Sequence, residues 1–476
     1  MSRYRVLASE SAFERLLPVP QRGIPHRVFV IGSLLALVVT FAGGCGKETP
    51  KPKPVGPKPA AAISVAVYGA PEVTTAYAEL AAEFTAKHPE TTVQVQPYPS
   101  EQAAVEANAK KRATGNGPDL FMADVAQLDQ LMMAKAIQPV DRPLVERDVD
   151  FGDSYQRSAL EAFSKDTSLQ CMPVDVSPMV VYYNRALINL DRPLPDDIAA
   201  INPAKGWSID QFRAALQGML TPKSKAMGMT PSLEQLAPFI WSGGGELVDS
   251  QEDPTALTLA SGASVDSLED LLTIVRDPTL NLTPAQLQRK SALQRFLNGR
   301  LGVLFGYRDL VPQLRAQANL DFDVMPVPKV VRSATVTRLS GMCISGETKH
   351  FERAADFLTF AVSDEAATKL AATGYVVPSN TKVLASDGFL QPALRPVNAQ
   401  VFSGALKGGR LMPRSEQWPE VEAAVAPLLA ALFTDPVIDP LADRLKVIDD
   451  AAAPILNPKA IQESASPSGT PTAVAR

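Results

Sequence analysis

Three cysteines, three histidines and three tryptophans are all that this 476-residue chain offers to chemistry that depends on those side chains. His26, His88 and His350 lie far apart, and no Cys/His cluster has the spacing of a metal site. Neither a metal nor a cofactor is expected. The chain also lacks a G-x-S-x-G elbow, a Walker loop and a G-x-G-x-x-G turn. With those signatures missing, no catalytic residue is expected. A net charge of −5, a pI near 5.5 and the lack of a basic stripe argue against a nucleic-acid partner. Hydrophobic content of 46% and charged content of 20% describe a soluble globular chain long enough for two domains.

Long apolar runs are missing as well, with one exception. Arg22, His26 and Arg27 lead into Val28 to Phe41, which ends in Ala42-Gly43-Gly44-Cys45. The run has signal-peptide length and is too short to span a bilayer comfortably. Its small residues stop directly before a cysteine, a pattern that resembles the bacterial lipobox, with Ala42 where leucine is commoner. The resemblance implies that Cys45 is acylated and anchors the mature chain to a bacterial membrane, outside the cytoplasm. A plain N-terminal anchor, or a buried helix with an incidental cysteine, is the alternative. Residues 1–44 are then a lipoprotein signal peptide and 45–62 a Pro/Lys-rich tether. Gly46 to Pro59 reads GKETPKPKPVGPKP, which favours polyproline II and could hold a domain about 40 Å off the surface. The polar end, 461–476, is expected to be a disordered tail.

Between these ends the hydrophobic period alternates between that of a strand and that of a helix. Ile63, Val65 and Val67 have a strand's period, Tyr77 to Phe84 a helix's, and Thr92 to Gln96 a strand's again. A helix over Glu101 to Arg112 and a short strand over Asp119 to Met122 follow. That order is the signature of a parallel α/β sheet. Ligands in such sheets sit beyond the carboxyl ends of the strands, which makes Tyr68, Glu72 and Asp124 site candidates. Val174 to Tyr183 is expected to be one strand. The stretch from Trp207 to Ala318 is mostly helical, with Pro284 to Leu297 expected as a single helix. Leu301 to Phe305, Phe322 to Val327 and Leu339 to Ile344 are expected strands.

Several segments in order resemble the bacterial extracellular solute-binding proteins of ABC importers, in the sugar-binding family that includes the maltose-binding protein. The landmarks are Phe84 with His88-Pro89, Gly117-Pro118-Asp119-Leu120, Tyr182-Tyr183-Asn184-Arg185 and Gly206-Trp207 with Asp210 and Phe212. They continue through Trp241-Ser242-Gly243-Gly244-Gly245, Phe296 to Arg300, Ala354 to Leu358, and Gly374-Tyr375 with Pro378. The resemblance implies an α/β, two-lobed periplasmic-binding-protein-like fold with a ligand cleft and hinge between the lobes. Carried over, lobe 1 comprises 63–174 plus 339–384, and lobe 2 comprises 175–336 plus 390–460. Hinge crossings are expected near Pro173 to Ser177 and Arg338 to Gly341. Cys171 and Cys343 fall close to them, and two free buried thiols are the preferred expectation, with a bridge as the alternative.

The same map supplies further cleft candidates. Trp241 and Trp418 are placed to stack on a sugar face, with core packing the alternative for Trp241. Ser177 corresponds to a polar position at the hinge, and neighbouring Asp175 is expected to satisfy hinge backbone. Asp124 could accept from ligand hydroxyls, cap the helix that follows it, or do both. Tyr307, Arg308 and Asp309 occupy a slot where the family has a tryptophan, so an anionic or strongly polar ligand is considered, beside a plain surface pair. Tyr375 is placed to close the cleft from lobe 1.

The resemblance implies a lipid-anchored, monomeric binding protein that captures a small polar solute, a sugar before others, and delivers it to ABC permease subunits. Aromatics at 6% are sparse for a large oligosaccharide site, which favours a short ligand. A sensor or scaffold on the same fold is the alternative. A secreted glycoside hydrolase would need two carboxylates flanking the bond, and Asp124 with Asp309 is the one pair to nominate.

Overall fold

The computed structural model describes residues 60–203, 205–219 and 224–458. The signal-peptide reading, Cys45, all but the last three residues of the tether, and the tail lie outside the described residues.

The strands are β1 (Ala61–Tyr68), β2 (Thr91–Tyr98), β3 (Leu120–Asp124), β4 (Ile137–Gln138), β5 (Ser164–Lys165) and β6 (Ser168–Leu169). They continue with β7 (Met172–Pro178), β8 (Val180–Asn184), β9 (Lys225–Met227), β10 (Leu301–Gly306), β11 (Phe322–Met325), β12 (Thr335–Ser345) and β13 (Gly409–Arg410). A first sheet runs β13-β12-β3-β1-β2, with β4 and β7 also pairing β12. A second sheet runs β11-β8-β10-β9.

β1 pairs in parallel with β2 and with β3, as expected of strands joined through helices. Ile63, Val65, Ala66 and Val67 are all buried, because helices cover both faces of the sheet. The helix Pro71–Lys87 begins with proline in its first turn, where a missing N–H costs nothing, and carries Glu72 there to complement the macrodipole. The helix Glu101–Arg112 is capped by Ser100, whose side chain accepts from the Ala103 N–H. On the second sheet, the helix Ile209–Gln217 starts with a capping box between Ser208 and Gln211. Gly244, at φ +100°, ends the helix Leu233–Gly243 in the left-handed region that glycine adopts without steric cost.

Val174 to Tyr183 is not one strand. β7 belongs to the first sheet and β8 to the second, and Met179 links them. The apolar pattern runs through this crossing unbroken because both ends are buried. β12 makes the return journey, pairing antiparallel with β7 from Met172↔Met342 to Pro178↔Thr337, with an irregularity at Ser340/Gly341. The crossings are stitched together: the Met179 N–H donates to the Val336 carbonyl at 2.8 Å, and Thr335 Oγ1 donates to the Met179 carbonyl at 2.7 Å. They therefore meet a little beyond the expected hinge segments.

Cys171 and Cys343 form a disulfide, with Cα atoms 4.4 Å apart, which corrects the expectation of two free thiols. The bond lies where β7 and β12 run together, and both residues are fully buried. The expected helix Pro284 to Leu297 is two helices, Pro284–Arg289 and Ala292–Leu297. Lys290 is extended between them, and Ser291 caps the second by accepting from the Gln294 N–H. Among the described residues no helix is long and apolar enough to cross a membrane.

Candidate functional site

A cleft of about 1190 Å³ is walled on one side by Glu101, Asp124 and the helix Leu128–Met133, which follow strands of the first sheet. The opposite wall comprises Glu234 and the segment Met412 to Pro419, and Val336 to Leu339 of β12 also border it. That is somewhat above the roughly 300–1,000 Å³ of ordinary small-molecule sites, so an oligosaccharide of a few units has room.

Tyr68 ends β1 and Asp124 ends β3, so parallel pairing brings both to the same sheet edge. The Tyr68 hydroxyl lies 3.0 Å from Ser340 Oγ on β12. Asp124 Oδ1 accepts from the Ala126 N–H at 2.8 Å, which caps the short turn that follows. Glu101 accepts from Gln127 Nε2 at 2.7 Å. Burial, and then the Asp124 carboxylate, pushes Glu101 up to about 7. Burial also raises Asp124, against the pull of the Ala126 N–H and Arg338. Tyr68 rises well above its ordinary value through burial, reinforced by Glu101 and Asp124.

Arg338 stands at the centre of this electrostatics. Its Nε and Nη2 both donate to Glu234 Oε1, at 3.1 and 2.7 Å, and its guanidinium lies 3.9 Å over the Tyr307 ring. The Tyr307 hydroxyl donates to the same Glu234 oxygen at 2.7 Å. The aromatic face offered by the tryptophan's slot is thus covered by a cation. Asp309 lies in the short turn Arg308–Leu310 after β10, where desolvation raises its carboxyl and Arg338 pulls the other way. Tyr375 is partly buried with the Glu72 carboxylate beside it, which together with burial raises the phenol.

Ser177 Oγ donates to Asp175 Oδ1 at 3.2 Å, and the same oxygen accepts from the Val377 N–H at 2.8 Å. Asp175 thus satisfies backbone beside the hinge. Burial pushes its carboxyl up to about 7, with the Ser177 and Val377 donors opposing.

Of the ten expected cleft residues Asp124 and Trp418 line this cleft, and two of the other eight are packed away among core side chains. Trp241 is 1% exposed in the core of the second sheet, with Arg410 stacked 4.7 Å from its ring, so no face is open to a sugar. Arg308 is fully buried between Phe389 and Phe402, with guanidinium-to-ring distances of 4.6 and 5.1 Å. It donates to the Phe389 carbonyl at 3.0 Å and forms no ion pair with Asp309. Desolvation pulls it down to about 10. Trp418 does border the cleft, although it is mostly buried at 8% exposure. Glu101, Glu234, Arg338 and Ser340 were not singled out from the sequence. Glu101, just after β2, and Arg338 and Ser340, on β12, are marked by those positions, whereas Glu234, in the first turn of the helix Leu233–Gly243, carries no such signal.

Residues 79–396 match the family model described as bacterial extracellular solute-binding protein. An arabinooligosaccharide-binding protein of Bacillus subtilis is 23% identical over 309 residues, covering 62% of this chain and 67% of that protein. Among solved structures, the sugar-binding protein MalE from Xanthomonas citri superposes with a TM-score of 0.72 at 14% identity, covering 86% of this chain and all of the other. An ABC substrate-binding protein from Listeria monocytogenes in complex with cycloalternan gives 0.67 at 20% identity, covering 82% and 98%. At these identities the structural likeness concerns the fold: mixed α/β and two-lobed.

Proposed function

The chain belongs to the bacterial extracellular solute-binding protein family, and we propose that it captures a sugar in the cleft between its sheets for an ABC importer. The observation that carries this reading is the position of the cleft. It opens at the carboxyl end of β3 and just beyond that of β2, and two hydrogen-bonded crossings join the sheets beside it. Rotation about Met179 and Val336 would bring the two walls together on a ligand, and the closed state is what a permease would recognise. The lobes divide as 63–174 plus 339–384 and 175–336 plus 390–460. Cys45 would bear the lipid that holds a monomer at the outer face of a bacterial membrane. Of the relatives named above, one is an arabinooligosaccharide-binding protein, one a sugar-binding protein and one is in complex with cycloalternan, which favours a sugar over other polar solutes.

Thermal unfolding of the chain begun at Glu48, stripped of copurified ligand, tests the reading against mono- and oligosaccharides. A ligand at 100 times its dissociation constant stabilises the native state by about 2.7 kcal/mol, worth about 3 °C for a domain of this size. A saturable shift with sugars, with no product formed, supports it. A broad sugar panel without any shift rejects it.

A further inference from the structure

The charges around the cleft are lopsided. Seven carboxylates border it against three basic side chains. Two of the three cations are already engaged: Arg338 by Glu234, and Lys165 by Asp129 at 3.4 Å. The third, Arg414, donates to the Ala162 carbonyl at 3.2 Å. Glu101, Asp124, Glu252, Asp253 and Glu416 have no ion-pair partner among the described residues. The Asp124 carboxylate opposes ionisation of Glu101, and Arg338, the cation that acts on both, is already engaged by Glu234. Two further side chains on the cleft are more than nine-tenths buried and hold an unpartnered polar atom, Thr337 Oγ1 and the Trp418 indole N–H. The Glu422 carboxylate is near that indole but outside hydrogen-bond geometry.

The site thus has surplus negative charge around it and a buried indole N–H at one wall. A neutral sugar would answer only the second. We propose that the cleft selects an amino sugar or a short aminated oligosaccharide, whose ammonium is held by Glu101 and Asp124 while a ring oxygen or hydroxyl accepts from Trp418. This rests on the sugar-binding reading and narrows it. Arg338, held back on Tyr307 by Glu234, leaves the carboxylates of the opposite wall to the ligand. An ammonium between two carboxylates favours the ionised form of both, so binding at neutral pH is coupled to proton release from Glu101.

The test is isothermal titration of the chain begun at Glu48 with glucose, glucosamine and N-acetylglucosamine, and with their β-1,4 disaccharides. At pH 7 and low salt the amines are expected to bind at least tenfold more tightly than the hydroxyl and acetyl forms. That advantage should shrink in 0.5 M salt, because it is electrostatic. Asp124→Asn, which keeps the helix cap, should remove most of it with an unchanged unfolding midpoint, and Glu101→Gln should act the same way. Neutral sugars that bind as tightly as the amines overturn this inference and leave the sugar-binding reading standing. Failure of every sugar, charged or neutral, overturns both.

Discussion

The disulfide allows the sharpest calculation. Cys171 and Cys343 are 172 residues apart in sequence. A cross-link that closes a loop of that length removes about 17 cal/mol/K from the unfolded chain, about 5 kcal/mol at 25 °C. Spread over the unfolding entropy of roughly 400 folded residues, this is a shift of about 6 °C. The double variant Cys171→Ala/Cys343→Ala should therefore melt about 6 °C below the parent in a scanning calorimeter. Both residues are fully buried where β7 meets β12, so reductant should act only once the chain unfolds. Thiol titration in denaturant without reductant should find neither thiol in the soluble parent begun at Glu48. Two titratable thiols, or a double variant that melts with the parent, would refute the reasoning.

Trp241→Phe should leave sugar affinity unchanged within twofold, because Arg410 and the second core enclose the ring; Trp418→Phe should weaken binding severalfold in the same titration. Arg338→Ala should cost less than about 1 kcal/mol of stability, since the pair with Glu234 is partly exposed. It should change neutral-sugar affinity by less than about threefold in calorimetry, because Glu234 and the Tyr307 ring already hold the guanidinium. Asp175 titrates higher in the folded protein, about 7, than its ordinary value near 3.8, burial being the largest cause. The folded state therefore holds this proton more tightly, and the stability it contributes is full below about pH 4 and lost as pH rises towards 7. Asp175→Asn should flatten that slope and raise stability at pH 8 by about 2 kcal/mol after allowance for partial exposure, measured by urea unfolding across pH.

What the sequence reveals here follows from local physics. β1, β2 and β3 are readable because alternating apolar residues between helix caps leave little choice of period. Asp124 and Tyr68 follow from them, since a site at strand ends is a consequence of topology. The break at Pro178-Met179 is hidden because an apolar run reads the same whether it crosses between sheets or stays in one. Ser291, a good helix cap, is the signal that divides Pro284 to Leu297. Arg308 defeats a local reading altogether. An arginine belongs in water unless something far away receives it, and Phe389 and Phe402 do so from the other end of the chain. Trp241 is lost to the cleft for a similar reason, with Arg410 arriving from 169 positions later. The cysteine pair depends on the pairing of β7 with β12, which no spacing encodes.

Capture between two lobes that close is the central claim, and small-angle X-ray scattering tests it most directly. Scattering would be recorded on the stripped chain begun at Glu48, alone and saturated with whichever sugar shifts the unfolding midpoint. The account predicts a smaller radius of gyration and maximum dimension in the saturated sample, at unchanged molecular mass. Identical curves at occupancy verified by calorimetry would contradict closure about Met179 and Val336.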